Sequence, residues 1–181
     1  MSRIRITGGD WRSRLIQVPD VPGLRPTPDR VRETLFNWLG QDLAGFRCLD
    51  LFAGSGVLGF EAASRGASRV VLVERDSTAL AALRRNADVL GNERLEIVRA
   101  DALKFAAAAE EQGDAYDVLF LDPPYRQGLI DRLWPLLAAG LVAAGGRVYA
   151  EAEHALVPPA PWSVVRQGKA GQVFYHLLER S

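Results

Sequence analysis

From residue 46 onward the chain alternates short apolar runs with amphipathic stretches, and no other feature restricts its fold as much. The runs 46–51, 69–74, 95–99, 116–121 and 146–151 read as strands, and 57–66, 76–90, 102–110 and 128–141 read as the helices between them. Tyr116–Leu121 is apolar on both faces over most of its length, as a parallel strand covered from both sides must be. The tail departs from this rhythm. Residues 162–167 and 172–179 flank Lys169-Ala170-Gly171 and predict a terminal β-hairpin. The expected fold is therefore α/β: a mostly parallel, doubly wound sheet ending in an antiparallel hairpin. A chain of 181 residues has room for one such domain.

What precedes residue 46 has another character. Residues 3–6 and 12–18 surround Gly8-Gly9-Asp10 and read as two short strands around a turn. Pro19, Pro22, Gly23, Pro26 and Pro28 then mark a stiff connector. Thr27 is the expected N-cap and Pro28 the first position of an amphipathic helix over 28–41, with Val31, Leu35, Trp38 and Leu39 at helical spacing. The chain thus divides into an arm and helix (1–42), too small to fold alone, and the α/β domain (43–181). Net charge is zero, yet residues 1–35 carry seven arginines against four acids, an excess of +3. Arginine's planar fork suits phosphate pairing and base stacking, although a solvated arginine-rich surface explains the same bias. No apolar run reaches the roughly 20 residues of a membrane span, and no apolar segment follows Met1–Ile6 as a signal peptide requires. Cys48, the sole cysteine, excludes an internal disulfide and a cysteine metal cluster, so a cytoplasmic protein is expected.

The first strand-to-helix turn carries Asp50-Leu51-Phe52-Ala53-Gly54-Ser55-Gly56-Val57-Leu58-Gly59, and Glu74 ends the next strand. Three glycines at G-x-G-x-x-G spacing let a backbone approach a ligand closely, and an acid at the second strand end can accept from ribose hydroxyls. The same residues serve a nicotinamide dinucleotide, or simply a tight turn. Asp50 bears on the choice: its carboxylate beside the loop repels a pyrophosphate but favours the positive sulfonium and amino group of S-adenosylmethionine. Asp101, after the third strand, can accept from an adenine amino group while also capping the following helix.

After the fourth strand stands Asp122-Pro123-Pro124-Tyr125. The prolines stiffen the loop and bring no amide hydrogens, which leaves the Asp122 carboxylate and the Pro123 carbonyl as acceptors for one small donor. An exocyclic amine of a nucleobase is such a donor. Its lone pair is delocalised into the ring, and two acceptors holding its N–H bonds favour the pyramidal, nucleophilic geometry. Tyr125 offers a stacking surface for the base. As a bare tetrapeptide this is a rigid turn; at a strand end beside the Asp50 glycine loop it reads as a site for amine methylation.

Asp50–Gly59 with Asp122–Tyr125 resembles the motif pair of class I, Rossmann-like amino-methyltransferases that use S-adenosylmethionine. The segments Arg3-Ile4, Gly8–Arg14, Gly23–Leu39 and Ala170–Val173 narrow the resemblance to the RsmD family, whose members methylate the N2 amino group of a guanine in bacterial 16S ribosomal RNA. The resemblance implies that Asp50, Phe52, Gly54, Gly56, Glu74 and Asp101 hold the cofactor and that Asp122, Pro123, Pro124 and Tyr125 receive the guanine amine. It implies RNA contact for Arg3, Arg5, Trp11, Arg12, Arg14, Arg25, Arg30 and Arg32. The arm differs from the family's usual pattern at Ser13 and Leu15, where glycine and often lysine stand. The expected protein is a monomer acting on a small-subunit ribosomal particle, without a metal. The readings it competes with are methylation of adenine N6 or cytosine N4 in DNA, a nicotinamide-dependent oxidoreductase, and a non-catalytic RNA-binding module. His154 and His176 read as surface or packing residues, and Glu151 and Glu153 as caps at the end of the fifth strand.

Overall fold

The computed structural model describes residues 1–91 and 93–181. The arm supplies β1 (Ser2–Arg5) and β2 (Leu15–Val18), followed by α1 (Asp29–Leu39). The α/β series runs β3 (Arg47–Asp50), α2 (Val57–Ser64), β4 (Arg69–Glu74), α3 (Ser77–Leu90), β5 (Leu95–Arg99), α4 (Ala102–Glu111) and β6 (Tyr116–Leu121). It closes with α5 (Leu129–Leu136), a π-helical turn (Leu137–Leu141), β7 (Val142–Ala152), β8 (Trp162–Ala170) and β9 (Val173–Arg180). The sheet order is β5-β4-β3-β6-β7-β9-β8. Strands β3 to β7 are parallel, whereas β9 pairs antiparallel with both β7 and β8. The expected doubly wound sheet with its terminal hairpin is therefore present. The chain winds outward from β3 to β5 and returns to β6 on the other side of β3, so the carboxyl ends of β3 and β6 flank the topological switch point.

Pleat alternation divides the core into two layers. Cys48, Leu72, Val118, Phe120 and Tyr149 face one side with α1, α2, α3 and the arm. Leu49, Val71, Leu119, Leu121 and Ala150 face the other, with α4 and α5. α2 is buried at every position, Glu61 included.

The arm shares the first of these layers. Ile4, Ile6, Trp11, Ile16 and Val18 pack in one cluster with Phe60, Ala63 and Leu83. Glu61 fastens it: its carboxylate accepts from the Thr7 backbone N–H at 2.8 Å and from Arg32 Nη1 at 3.1 Å, with Arg65 Nε 3.5 Å away. Arg32 also donates to the carbonyls of Arg5 (2.9 Å) and Thr27 (3.2 Å) and pairs with Asp29. The turn of the arm is fixed against the end of α2, since a Cβ at Gly9 would lie 2.0 Å from the Ser64 carbonyl oxygen.

The structure corrects four boundaries. Thr27 does not cap α1; the helix starts at Asp29 after Pro28, and the Thr27 hydroxyl donates to Glu151 at 3.1 Å. The predicted helix 128–141 is interrupted, because Pro135 lacks the N–H of a helix interior and Gly140 has φ 138°. β7 starts four residues before the predicted 146, and its register against β6 shifts between Tyr116 and Val118. β2 begins at Leu15 rather than 12, as Asp10–Ser13 form the turn and Ser13 takes φ 71°, a left-handed conformation that favours glycine. No helix among the described residues is long and apolar enough to cross a membrane.

Candidate active site at the carboxyl edge of the sheet

The pleat that builds the first core layer also aligns the acids. Asp50, Glu74, Asp122 and Glu151 each lie two residues beyond a core side chain of that layer: Cys48, Leu72, Phe120 and Tyr149. All four therefore emerge on the same side of the sheet, at its carboxyl edge.

Asp50 is 2% exposed, and its Oδ2 accepts from the Gly59 N–H at 3.1 Å, which ties the start of α2 to the end of β3. Burial pushes its carboxyl up to about 7 against the pull of that hydrogen bond, with Glu74 and Glu151 adding to the rise. The glycines between are needed. Gly54 and Gly56 have φ 55° and 82°, and a Cβ on Gly56 would meet Leu83 at 2.4 Å. A Cβ on Gly54 would come within 2.8 Å of Leu24, so the proline-rich connector passes directly over the glycine loop. Phe52 is partly buried against the opposite layer. Burial also raises the Glu74 carboxyl, opposed by the backbone N–H groups of Asp76, Arg75 and Gly54. Asp101 caps α4, accepting from the Lys104 N–H at 3.1 Å, and stays partly exposed.

Across the switch point, Asp122 stands next to Glu151, because Leu121 and Ala150 are register partners on β6 and β7. Burial raises the Asp122 carboxyl well above the usual range, and the charge of Glu151, its hydrogen bond and Asp50 raise it further. Pro123 is buried, while Tyr125 is 42% exposed at a cleft lined also by Glu151, Ala152 and Leu156. Arg25 lies close enough for its charge to act on the Tyr125 phenol. The loop is held from the residue that follows β7: Arg126, with φ 64°, donates its backbone N–H to Glu153 at 3.2 Å.

These residues fit S-adenosylmethionine. The raised Asp50 and Glu74 carboxyls are acids crowded together, and no ion pair among the described residues reaches either; a positively charged ligand relieves this and a pyrophosphate would aggravate it. Among the described residues no group of acids, histidines and cysteine is arranged to hold a metal ion.

The arginines divide by exposure. Arg3, Arg5, Arg12, Arg14, Arg25 and Arg30 are exposed. Arg32, expected at RNA, is 0% exposed and spends its guanidinium on Glu61, Asp29 and two carbonyls, so it cannot reach a ligand. Trp11 is corrected likewise. It is 8% exposed in the core, with Arg94 over its ring at 5.9 Å, and offers no free face for a base. Glu151, expected only to cap the sheet, is instead buried inside the site, and its in-register position beside Asp122 is the signal that identifies it. His176 is a packing residue, as expected: it is 0% exposed, its Nε2 accepts from the Leu156 N–H at 3.0 Å, and Nδ1 lies 3.0 Å from the Ala150 carbonyl.

The chain is similar to known proteins over nearly its whole length. The family model described as conserved hypothetical protein 95 matches residues 4–179. Ribosomal RNA small subunit methyltransferase D of Escherichia coli strain K12 is 44% identical over 182 residues, covering 98% of this chain and 90% of that protein. The protein of the same name from Haemophilus influenzae is 39% identical, covering 97% and 93%. A solved Escherichia coli structure superposes with a TM-score of 0.88 at 43% identity, covering 99% of this chain and 98% of the other.

Proposed function

The chain belongs to the RsmD family of ribosomal RNA small subunit methyltransferases, and we propose that it uses S-adenosylmethionine to methylate the exocyclic N2 amino group of a guanine in 16S ribosomal RNA. One observation carries this reading. The Asp122-Pro123-Pro124-Tyr125 loop stands across the switch point from the glycine loop, with Glu151 and Asp50 as the charges that act on its carboxyl.

S-adenosylmethionine, when bound, supplies a methyl group on a positively charged sulfur. The loop Phe52–Gly56 would lie against its amino-acid part, ordered from beneath by Asp50. Glu74 would accept from its ribose hydroxyls and Asp101 from its adenine amine. Asp122 and the Pro123 carbonyl hold the two N–H bonds of the guanine amine, which draws the lone pair out of conjugation and toward the donor. Tyr125 stacks on the base and fixes its plane. Once methylated, the nitrogen carries a surplus proton acidic enough to pass to water.

Arg3, Arg5, Arg12 and Arg14 on the arm, with Arg25 near Tyr125 and Arg30 at the start of α1, supply phosphate contacts that position the RNA without reading its sequence. The enzyme acts in the cytoplasm, as a monomer, on a small-subunit particle whose bound proteins present the RNA. Transfer of labelled methyl from S-adenosylmethionine to small-subunit particles, naked 16S RNA and duplex DNA, run side by side, tests the reading. Label in the ribosomal substrates and none in DNA is expected. Label in DNA alone would replace the substrate with an adenine or cytosine amine, and tight NADH binding without any transfer would replace the reaction.

A further inference from the structure

Glu151 has no role in the reaction as described above, yet it is a buried carboxylate held in place by two side-chain hydroxyls. It is 6% exposed, and its Oε1 accepts from the Tyr149 hydroxyl at 2.6 Å and the Thr27 hydroxyl at 3.1 Å. Three separate segments thus converge on it: β7, the proline-rich connector and the Asp122 loop. None of the ion pairs among the described residues reaches Glu151 or Asp122.

Asp122 and Glu151 each follow a member of the register pair Leu121–Ala150 on neighbouring parallel strands, so their side chains leave the same face of the sheet side by side, in a position to share a hydrogen bond. Ionised carboxylates only accept, so such a bond requires that one of the two carry a proton. The surroundings favour that state. Asp50 faces the pair from β3, Tyr149 from β7 and Tyr125, on which Arg25 acts, from the loop itself. Two like charges in contact there would be unopposed. With Oε1 of Glu151 occupied by two hydroxyl donors, its Oε2 is left for Asp122.

We propose that Glu151 is a positioning residue for the methyl transfer: it shares one proton with Asp122, which fixes the Asp122 carboxyl and leaves that carboxyl's second oxygen to accept from the guanine amine. This rests on the amine-methyltransferase reading of the loop. The shared proton stays within the pair through the reaction, and the proton released by the amine goes to water. Thr27 gives the connector a part in the same arrangement, because seating the connector completes the anchoring of Glu151.

The test uses the full chain and two readouts. The first is a pH titration of the cofactor-free protein, with the Asp122 carboxyl carbon followed by NMR in wild type and Glu151→Gln. In wild type Asp122 stays protonated well above the ordinary carboxylate range, and in E151Q its titration moves down toward that range. The second is steady-state methylation of small-subunit particles. Glu151→Ala lowers kcat roughly tenfold to a hundredfold, with affinity for S-adenosylmethionine unchanged, as expected when an acceptor is misplaced. E151Q recovers part of this loss, since its amide donates permanently where the shared proton stood. For the same reason it lacks the alkaline fall in kcat that wild type shows as that proton leaves. Ionisation of wild-type Asp122 near the ordinary value of about 4 overturns the proposal. So does wild-type kcat in E151A, or equal loss in E151A and E151Q with an unaltered pH profile, the pattern of a packing residue. Should E151A fail to fold, the wild-type and E151Q pH profiles and carboxyl titrations decide alone. If wild type methylates nothing, the functional reading has failed, and the NMR titration still decides whether the pair shares a proton.

Discussion

Asp50 and Asp122 have similar positions in sequence, each ending a strand of the first core layer, but the structure gives them different work. Asp50 is sealed under the glycine loop by its bond to Gly59, while Asp122 stays partly exposed beside Glu151. Asp122→Ala is expected to reduce methyl transfer by at least about a hundredfold while S-adenosylmethionine still binds, measured by labelled transfer and calorimetry. Asp50 carries a pH signature. Its folded-state carboxyl is raised from 3.8 to about 7, so its contribution to stability is complete below pH 3.8 and is lost as pH climbs to about 7. The change is on the order of 4 kcal/mol. Urea unfolding of the cofactor-free protein between pH 4 and pH 8 should show this decline, and Asp50→Asn should lack it. A cationic ligand reverses the preference, so S-adenosylmethionine binds more tightly at pH 8 than at pH 6 in wild type, with little change in D50N. The strand ends and the Asp122–Tyr125 loop were legible in the sequence because they are local. Glu151 was not, because its meaning depends on the register of β6 against β7, which no local pattern prints.

α2 shows why the arm cannot be read as an appendage. In Val57–Ser64 a single ionisable residue, Glu61, stands in an otherwise apolar or small run, and every position is buried. A lone carboxylate there has to find partners, and it finds them in Thr7, Arg32 and Arg65. The motif arginine at 32 therefore holds the arm and α1 to the α/β layer instead of gripping RNA. Arg32→Ala leaves the buried Glu61 with Arg65 as its remaining ion-pair partner, and Glu61→Ala leaves the buried Arg32 with the largely exposed Asp29; either is expected to cost about 3 kcal/mol, a fall in Tm on the order of 10 °C. An Arg32→Ala protein that melts like wild type would contradict this. The sequence could reveal arginine density but not exposure; only the packing of α1 on α2 separates Arg32 from Arg30. Ser13 is the opposite case, an exposed residue whose constraint lies in the backbone. At φ 71° it occupies a conformation natural to glycine, and Ser13→Gly should raise stability by up to about 1 kcal/mol by thermal melting.

At the scale of the whole molecule, residues 1–35 carry seven arginines against four acids and the rest of the chain carries the opposite excess, so zero net charge conceals a basic arm and connector. Replacing Arg3 and Arg5 together by alanine should weaken RNA binding and lower the salt-dependence slope by roughly 2, while leaving S-adenosylmethionine affinity unchanged. A chain with so little excess positive charge has little non-specific hold on RNA, so much faster methylation of particles than of naked 16S RNA is expected; equal rates would contradict it. The alternation of strands and helices made the sheet legible from the sequence, whereas the passage of the connector over Gly54 and onto Glu151 is a long-range contact that it does not announce. The most direct test of the central claim is nucleoside analysis of small-subunit particles prepared without this modification and incubated with the enzyme and methyl-labelled S-adenosylmethionine. The account predicts label in N2-methylguanosine with the wild-type chain and its loss with Asp122→Ala. Label in any other nucleoside, or undiminished label with Asp122→Ala, would contradict it.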